Sequence, residues 1–198
     1  MKYLISSVLL LLSNIAFGQS TRRLVKDFDH DFIKDTVYID SDKDILVCLL
    51  SRDKFRKVES DEIRYLRFGN TLVSTKKGFE FWNEANHSSF ISVFEYNKKA
   101  NKMQLVQMKR TDYGSRADYP DEKRGVSSVN LLTNLYIGEF SRMQNKKMVK
   151  VPTIYAKMIY PIIYLETYTD AMNFNYEGRC NALYKKQMEK RQQLSPAQ

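Results

Sequence analysis

The sequence predicts a mainly β fold: antiparallel hairpins forming a propeller-like body, or a barrel or sandwich, with one C-terminal helix. Three observations lead there. Apolar and polar residues alternate with period two from about Thr36 to Met158, the signature of half-buried strands. Short polar turns separate the alternating runs at fairly even spacing, as in antiparallel all-β bodies. Near the C-terminus the rhythm changes, and Cys180, Leu183, Tyr184 and Met188 fall at the three-and-four spacing of a helical stripe.

Taken in order, residues 1–18 read as a signal peptide. Met1-Lys2-Tyr3 is a basic start, 4–12 is an apolar run, and Ala16-Phe17-Gly18 puts small residues where a signal peptidase reads. The run is too short, and too soon broken by Ser13 and Asn14, for a membrane span. With no cysteine at the cleavage point, no stable membrane anchor is expected, and the location is secreted or periplasmic. Residues 19–198 then form a single domain, long enough to bury a core. The formal charge of +9 comes from scattered Lys and Arg, the pattern of a solvated surface that could steer an anionic partner. Export argues against nucleic acid as that partner.

Residues 36–40 and 45–51 read as a first hairpin turning at Ser41-Asp42-Lys43-Asp44. A weaker strand follows at 55–58, and 60–70 fits either one helical turn or a loop. Residues 71–74 and 78–82 form the next hairpin, and 89–96 with 103–110 a third. Phe90, Ser92, Phe94 and Tyr96 share one face of that hairpin, with Ile91 and Val93 on the other, so both faces are candidates for cover. Residues 111–125 have no periodicity, and a loop of that length in a compact domain reads as functional or disordered. Its Tyr113, Arg116 and Tyr119 are the candidate partner-binding residues. Strands resume at 126–132 and 136–140, and 148–151 with 154–158 form a further pair around Pro152. The helix runs from about 175 to 191, and 195–198 is a tail.

The sharpest chemical feature is Asp27-Phe28-Asp29-His30-Asp31-Phe32-Ile33-Lys34-Asp35. Like charges at that density cost free energy unless a cation sits among them. Oxygen ligands select a hard divalent ion, and Ca²⁺ is the one expected. Asp27, Asp29, Asp31 and Asp35 offer side-chain oxygens, and Ile33 its carbonyl. Tyr38 stands where a helix-loop-helix calcium loop closes with Glu, and a strand follows, so the loop is not an EF-hand.

Residues 26–38 resemble the calcium loops of FG-GAP and integrin-α-type β-propeller repeats, and of secreted bacterial propeller-like, lysozyme-inhibitor-like proteins. The resemblance implies ligands at the first, third, fifth, seventh (by carbonyl) and ninth places: Asp27, Asp29, Asp31, Ile33 and Asp35. The departure is Phe32, where that pattern usually carries Gly for a positive φ. By the same resemblance a cell-wall hydrolase is a possible partner.

Cys48 and Cys180 are expected to pair as an export-permitted disulfide, the other reading being two buried thiols. Asp40, Asp42 and Asp44 cannot complete a second calcium loop, because the next places fall inside a strand. His30 points away from the ligand places and His87 reads as a turn residue. No HExxH helix, Gly-x-Ser-x-Gly elbow or phosphate-binding glycine loop is present. Carboxylate pairs such as Glu80 with Glu84, or Asp118 with Asp121, read as solvated charge. Lys76-Lys77, Lys98-Lys99 with Lys102, and Lys146-Lys147 sit in turns and would form a positive rim if they converged. The expectation is an exported, calcium-stabilised, non-enzymatic binding module whose partner is a protein or surface glycan. The alternative is a calcium-dependent hydrolase of a cell-wall or acidic glycan.

Overall fold

The computed structural model describes residues 21–64, 66, 69–85, 87–114 and 123–194. The signal-peptide reading (1–18), the tail (195–198) and the candidates Arg116 and Tyr119 lie outside them. The fold is mainly β, with two antiparallel sheets and one C-terminal helix. Strands β1 (Arg23–Lys26), β2 (Asp35–Asp40), β3 (Ile45–Leu49) and β4 (Lys57–Glu59) form a four-stranded sheet in that order. The larger sheet contains β5 (Asn70–Ser74), β6 (Gly78–Ala85), β7 (Ser88–Asn97), β8 (Lys102–Asp112), β9 (Lys123–Asn130) and β10 (Leu135–Gln144) as a meander. Both β11 (Lys147–Lys150) and β12 (Ile154–Lys157) pair with β10. Helix α1 (Ala171–Leu194) ends the described chain. Each sheet is open, with β1 and β4 bounding one, and β5 and β11/β12 the other.

The cross-strand register puts one set of side chains on one face of the large sheet. Phe79 is opposite Phe94, which is opposite Leu105; Met108 is opposite Val129, which is opposite Tyr136. All are buried, and they join Phe28 of the β1–β2 connection and Val37, Leu46 and Cys48 of the small sheet in one core. Phe28 meets Phe79 edge-on at 5.8 Å, and Phe79 stacks on Phe94 at 5.1 Å. The helix covers the same face further along. Cys180 and Tyr176 are buried, with Leu183, Tyr184 and Met188 packed at the margin, so the expected stripe is the one used. Burial on that scale is the dominant stabilising term for such a body. On the other face Val93 and Val106 are buried, but Val73 and Trp82 are exposed, so cover there is partial.

Three expectations are corrected. Residues 148–151 and 154–158 do not pair with each other. Pro152 interrupts one edge strand that runs along β10, and the register steps by one residue across it. Proline has no N–H for the ladder, so it breaks the strand without turning it. The helix starts at Ala171, a turn earlier than its stripe suggests, because Asp170 and Thr169 prepare its first turn. Cys48 and Cys180 are not bonded to each other: both are buried and free, one in β3 and one on α1 against Ser127 of β9. The ambiguous segment after Ser60 forms no helix among its described residues.

Hairpins in the meander turn at alternate ends of the large sheet. The turns at 75–77 and 98–101 therefore share one end, and the 145–146 turn lies at the other. The three lysine tips do not converge. The acidic loop joins the first end, since Lys26 donates from its Nζ to the carbonyls of Thr75 and Lys76. Tyr113 and the feet of the 113–122 connection lie at the opposite end. No helix among the described residues is long and apolar enough to cross a membrane.

Candidate metal centre

The acidic loop is the connection of the β1–β2 hairpin, because Lys26 pairs with Asp35 and closes residues 27–34 into a tight excursion. Two of its residues take positive φ, His30 at 63° and Phe32 at 70°. Phe32 thus adopts the turn that Gly usually serves, with its ring 97% exposed and outside every packing contact that could strain it. The left-handed conformation costs roughly 1–2 kcal/mol for a non-glycine residue, which the loop's hydrogen bonds offset.

Those bonds are mostly to aspartate. Asp27 accepts from the N–H groups of His30 (2.6 Å), Asp31 (3.2 Å) and Phe32 (3.0 Å). Asp35 is fully buried and accepts from the N–H of Phe28 (2.7 Å), Asp29 (3.3 Å) and Ser51 (2.7 Å). Asp29, 1% exposed, accepts from Asp31 N–H (3.1 Å) and lies 3.4 Å from the Ser51 hydroxyl. Asp31 turns aside: it accepts from the Ser51 hydroxyl (2.8 Å) and from Ile33 N–H (2.9 Å).

One carboxylate oxygen each from Asp27, Asp29 and Asp35 lies within 4.8 Å of the others. A calcium sphere with bonds of 2.3–2.6 Å spans about 4.6–5.2 Å, so the three can face one such ion. Three like charges at that separation repel by about 3–4 kcal/mol per pair at an effective dielectric near 20, less where water reaches Asp27. The donor set is all oxygen, which fits a hard cation. Burial, then the charges of Asp35 and Asp31, push the Asp29 carboxyl above the usual range. The Ile33 N–H and the Ser51 hydroxyl hold Asp31 below it, against partial desolvation.

Of the five ligands expected from sequence, the structure brings together Asp27, Asp29 and Asp35. Asp31 joins through Ser51, and Ile33 enters through its N–H. Ser51 and Arg52 were not foreseen. Arg52 Nε stands 3.8 Å from Asp29. The signal that could have found them is the β2–β3 register: Thr36 opposite Leu49 sets residues 50–52 beside Asp35. His30 is exposed, outside the triad. Asp40 caps its own turn, accepting from Asp42 and Lys43 N–H at 3.2 and 3.3 Å.

At the far end, Tyr113 is 49% exposed and donates its N–H to the His87 carbonyl (3.0 Å). The residues flanking its connection are firmly held. Asp112 takes Arg110 (3.0 Å), Lys123 and the Gly114 N–H (3.1 Å), while Arg110 also bonds Glu177 of α1 (2.5 Å). Burial alone would raise the Asp112 carboxyl, but Lys123 and Arg110 outweigh it and hold it below the usual range. Glu80 pairs with Lys109 (2.7 Å) and accepts from Trp82 Nε1 (2.8 Å) on the outer face, and Asp118 and Asp121 lie outside the described residues. Comparison of the chain with protein-family models, curated proteins and solved structures finds no match.

Proposed function

We propose that this chain is an exported, secreted or periplasmic, calcium-stabilised binding module without catalytic activity. The observation that carries the reading is the convergence of Asp27, Asp29 and Asp35 within 4.8 Å, with Asp29 and Asp35 buried. Buried carboxylates are costly unless paired or coordinated, and the donors fit Ca²⁺. The Ile33 carbonyl and an Asp31 oxygen would complete the shell, as the resemblance to FG-GAP-type and lysozyme-inhibitor-like loops implies. That likeness rests on the loop, and a propeller-like body is not needed for it.

Calcium here would act as a staple. It would fix the β1–β2 connection and, through Ser51, the end of β3. The loop and Tyr113 lie at opposite ends of the β7–β8 hairpin, about 30 Å apart at the ordinary rise per residue. An ion at the loop therefore does not touch a partner bound at Tyr113. The Tyr113 end, with the Lys146-Lys147 tip on the same side, is the proposed surface for a protein or surface glycan. A calcium-dependent hydrolase would need free carboxylates in a cleft. In the pocket beside β4, Asp53, Glu59 and Glu166 are each ion-paired, with Arg56, Lys57 and Lys102, which favours binding over catalysis.

Thermal melts with and without chelator test the reading. Calcium at about 100 times its dissociation constant adds about 2.7 kcal/mol. Chelator should lower the wild-type Tm and leave Asp29→Ala unmoved. Superimposable wild-type melts would remove the structural calcium.

A further inference from the structure

A pocket of about 490 Å³ opens at the acidic-loop end, between β3–β4, the turn at 98–101 and the segment around Leu165. That volume falls within the roughly 300–1,000 Å³ of small-molecule sites. Its floor is apolar: Cys48, Leu50, Met103 and Leu165 line it and are buried, and Val58 forms a wall. Its rim is charged, with four cations, Arg52, Arg56, Lys57 and Lys102, against three carboxylates, Asp53, Glu59 and Glu166.

Among the described residues, the rim's own carboxylates leave one cation over. Arg56 is held by Asp53 (2.9 Å), Lys57 by Glu59 (2.6 Å) and Lys102 by Glu166, with Lys102 also over the Tyr164 ring. Among the described residues Arg52 has no such partner on the rim, and it faces Asp29 of the acidic loop instead. Its approach to Asp29, 3.8 Å from Nε, is too long for a hydrogen bond, and its side chain is half exposed. A guanidinium with open donors suits bidentate capture of a carboxylate. The apolar floor beneath it suits a hydrocarbon body and penalises a second charge.

We propose that this pocket binds an amphiphilic monoanion, an unbranched alkyl chain ending in a carboxylate, with Arg52 on the head group and the Leu50–Met103–Leu165 floor under the chain. The site goes beyond the calcium reading and does not depend on it. It is tested by calorimetric titration of the full chain in calcium-free buffer with dodecanoate below its micellar concentration. Dodecanol and dodecyltrimethylammonium are the neutral and cationic arms. The wild type should bind dodecanoate saturably at one site, about tenfold or more tighter than either control. Arg52→Gln should erase that preference while retaining weak chain binding. Ala100→Phe, on the turn bordering the pocket, should block all three ligands, with circular dichroism showing the fold retained. No saturable binding would overturn the proposal, as would equal affinity for the three head groups or dodecanoate binding unchanged in Arg52→Gln.

Discussion

Replacing Asp35 by alanine strands three backbone amides at once. The fully buried carboxylate takes N–H groups from Phe28 and Ser51, both at 2.7 Å, and from Asp29 at a longer 3.3 Å. Hydrogen bonds to a charged group contribute about 1.5–3 kcal/mol each. The two short ones dominate, so losing them costs about 3–6 kcal/mol, and relief of the like-charge repulsion with Asp27 and Asp29 offsets part of that in ion-free protein. At about 2–4 °C per kcal/mol for a chain of this size, the lost hydrogen bonds alone correspond to roughly 6–24 °C in Tm, and the net fall is smaller. Asp35→Asn keeps one acceptor oxygen and should lose about half as much. Both are measured by denaturant and thermal unfolding with chelator present, which separates the amide cradle from any bound ion. Asp35→Ala no less stable than Asp35→Asn in chelator, where both remove the same charge and only Asn keeps an acceptor, would refute the claim that this carboxylate organises the loop.

Three further outcomes follow from the packing. A Cβ on Gly78 would lie 1.9 Å from the Phe94 carbonyl oxygen, so Gly78→Ala should cost about 1–3 kcal/mol or more through forced separation of β6 and β7, read by denaturant unfolding. Asp112 has a lowered folded pKa, so its ion-pair contribution is present above its unfolded value of about 3.9 and is lost as pH falls through the lower folded value. Lys123→Met should therefore lower Tm clearly at pH 7 and much less near pH 2; an equal loss at both would assign the effect to packing. Cys48 is pushed up to about 12 by burial and then by the charge of Asp35, and Cys180 is also buried. Native protein should resist thiol reagents at pH 8, while denatured, unreduced protein should show two reactive thiols; none in denaturant would restore the disulfide.

Much of the β body was legible because its strands are locally consistent. The β2–β3 hairpin and its turn at 41–44 follow directly from alternation and turn chemistry. β1 was not seen, because only Leu24 and Val25 separate its charged ends and its order comes from pairing with β2. The split of the hairpins into two sheets was also hidden, since it depends on long-range contacts such as Phe28 on Phe79. Pro152 reads as a turn in sequence, and only the shared partner β10 shows it to be a break in one edge strand. At the loop, alternation found Asp27, Asp29 and Asp35. Ser51 and Arg52 stayed hidden because their approach is set by strand register, which residue types in the loop do not encode. Phe32 shows that glycine is dispensable where the side chain can leave for solvent.

Calcium in the acidic loop is what we propose holds the β1–β2 connection in place. The most direct measurement is calorimetric titration of Ca²⁺ into chelator-stripped wild type and Asp29→Asn. Exported modules bind calcium with dissociation constants of about 10⁻⁴–10⁻³ M. The wild type should show saturable one-site binding at or below that range, lost in a folded Asp29→Asn protein. A wild-type titration showing no saturable heat up to about ten times that concentration, or binding unchanged in Asp29→Asn, would contradict it.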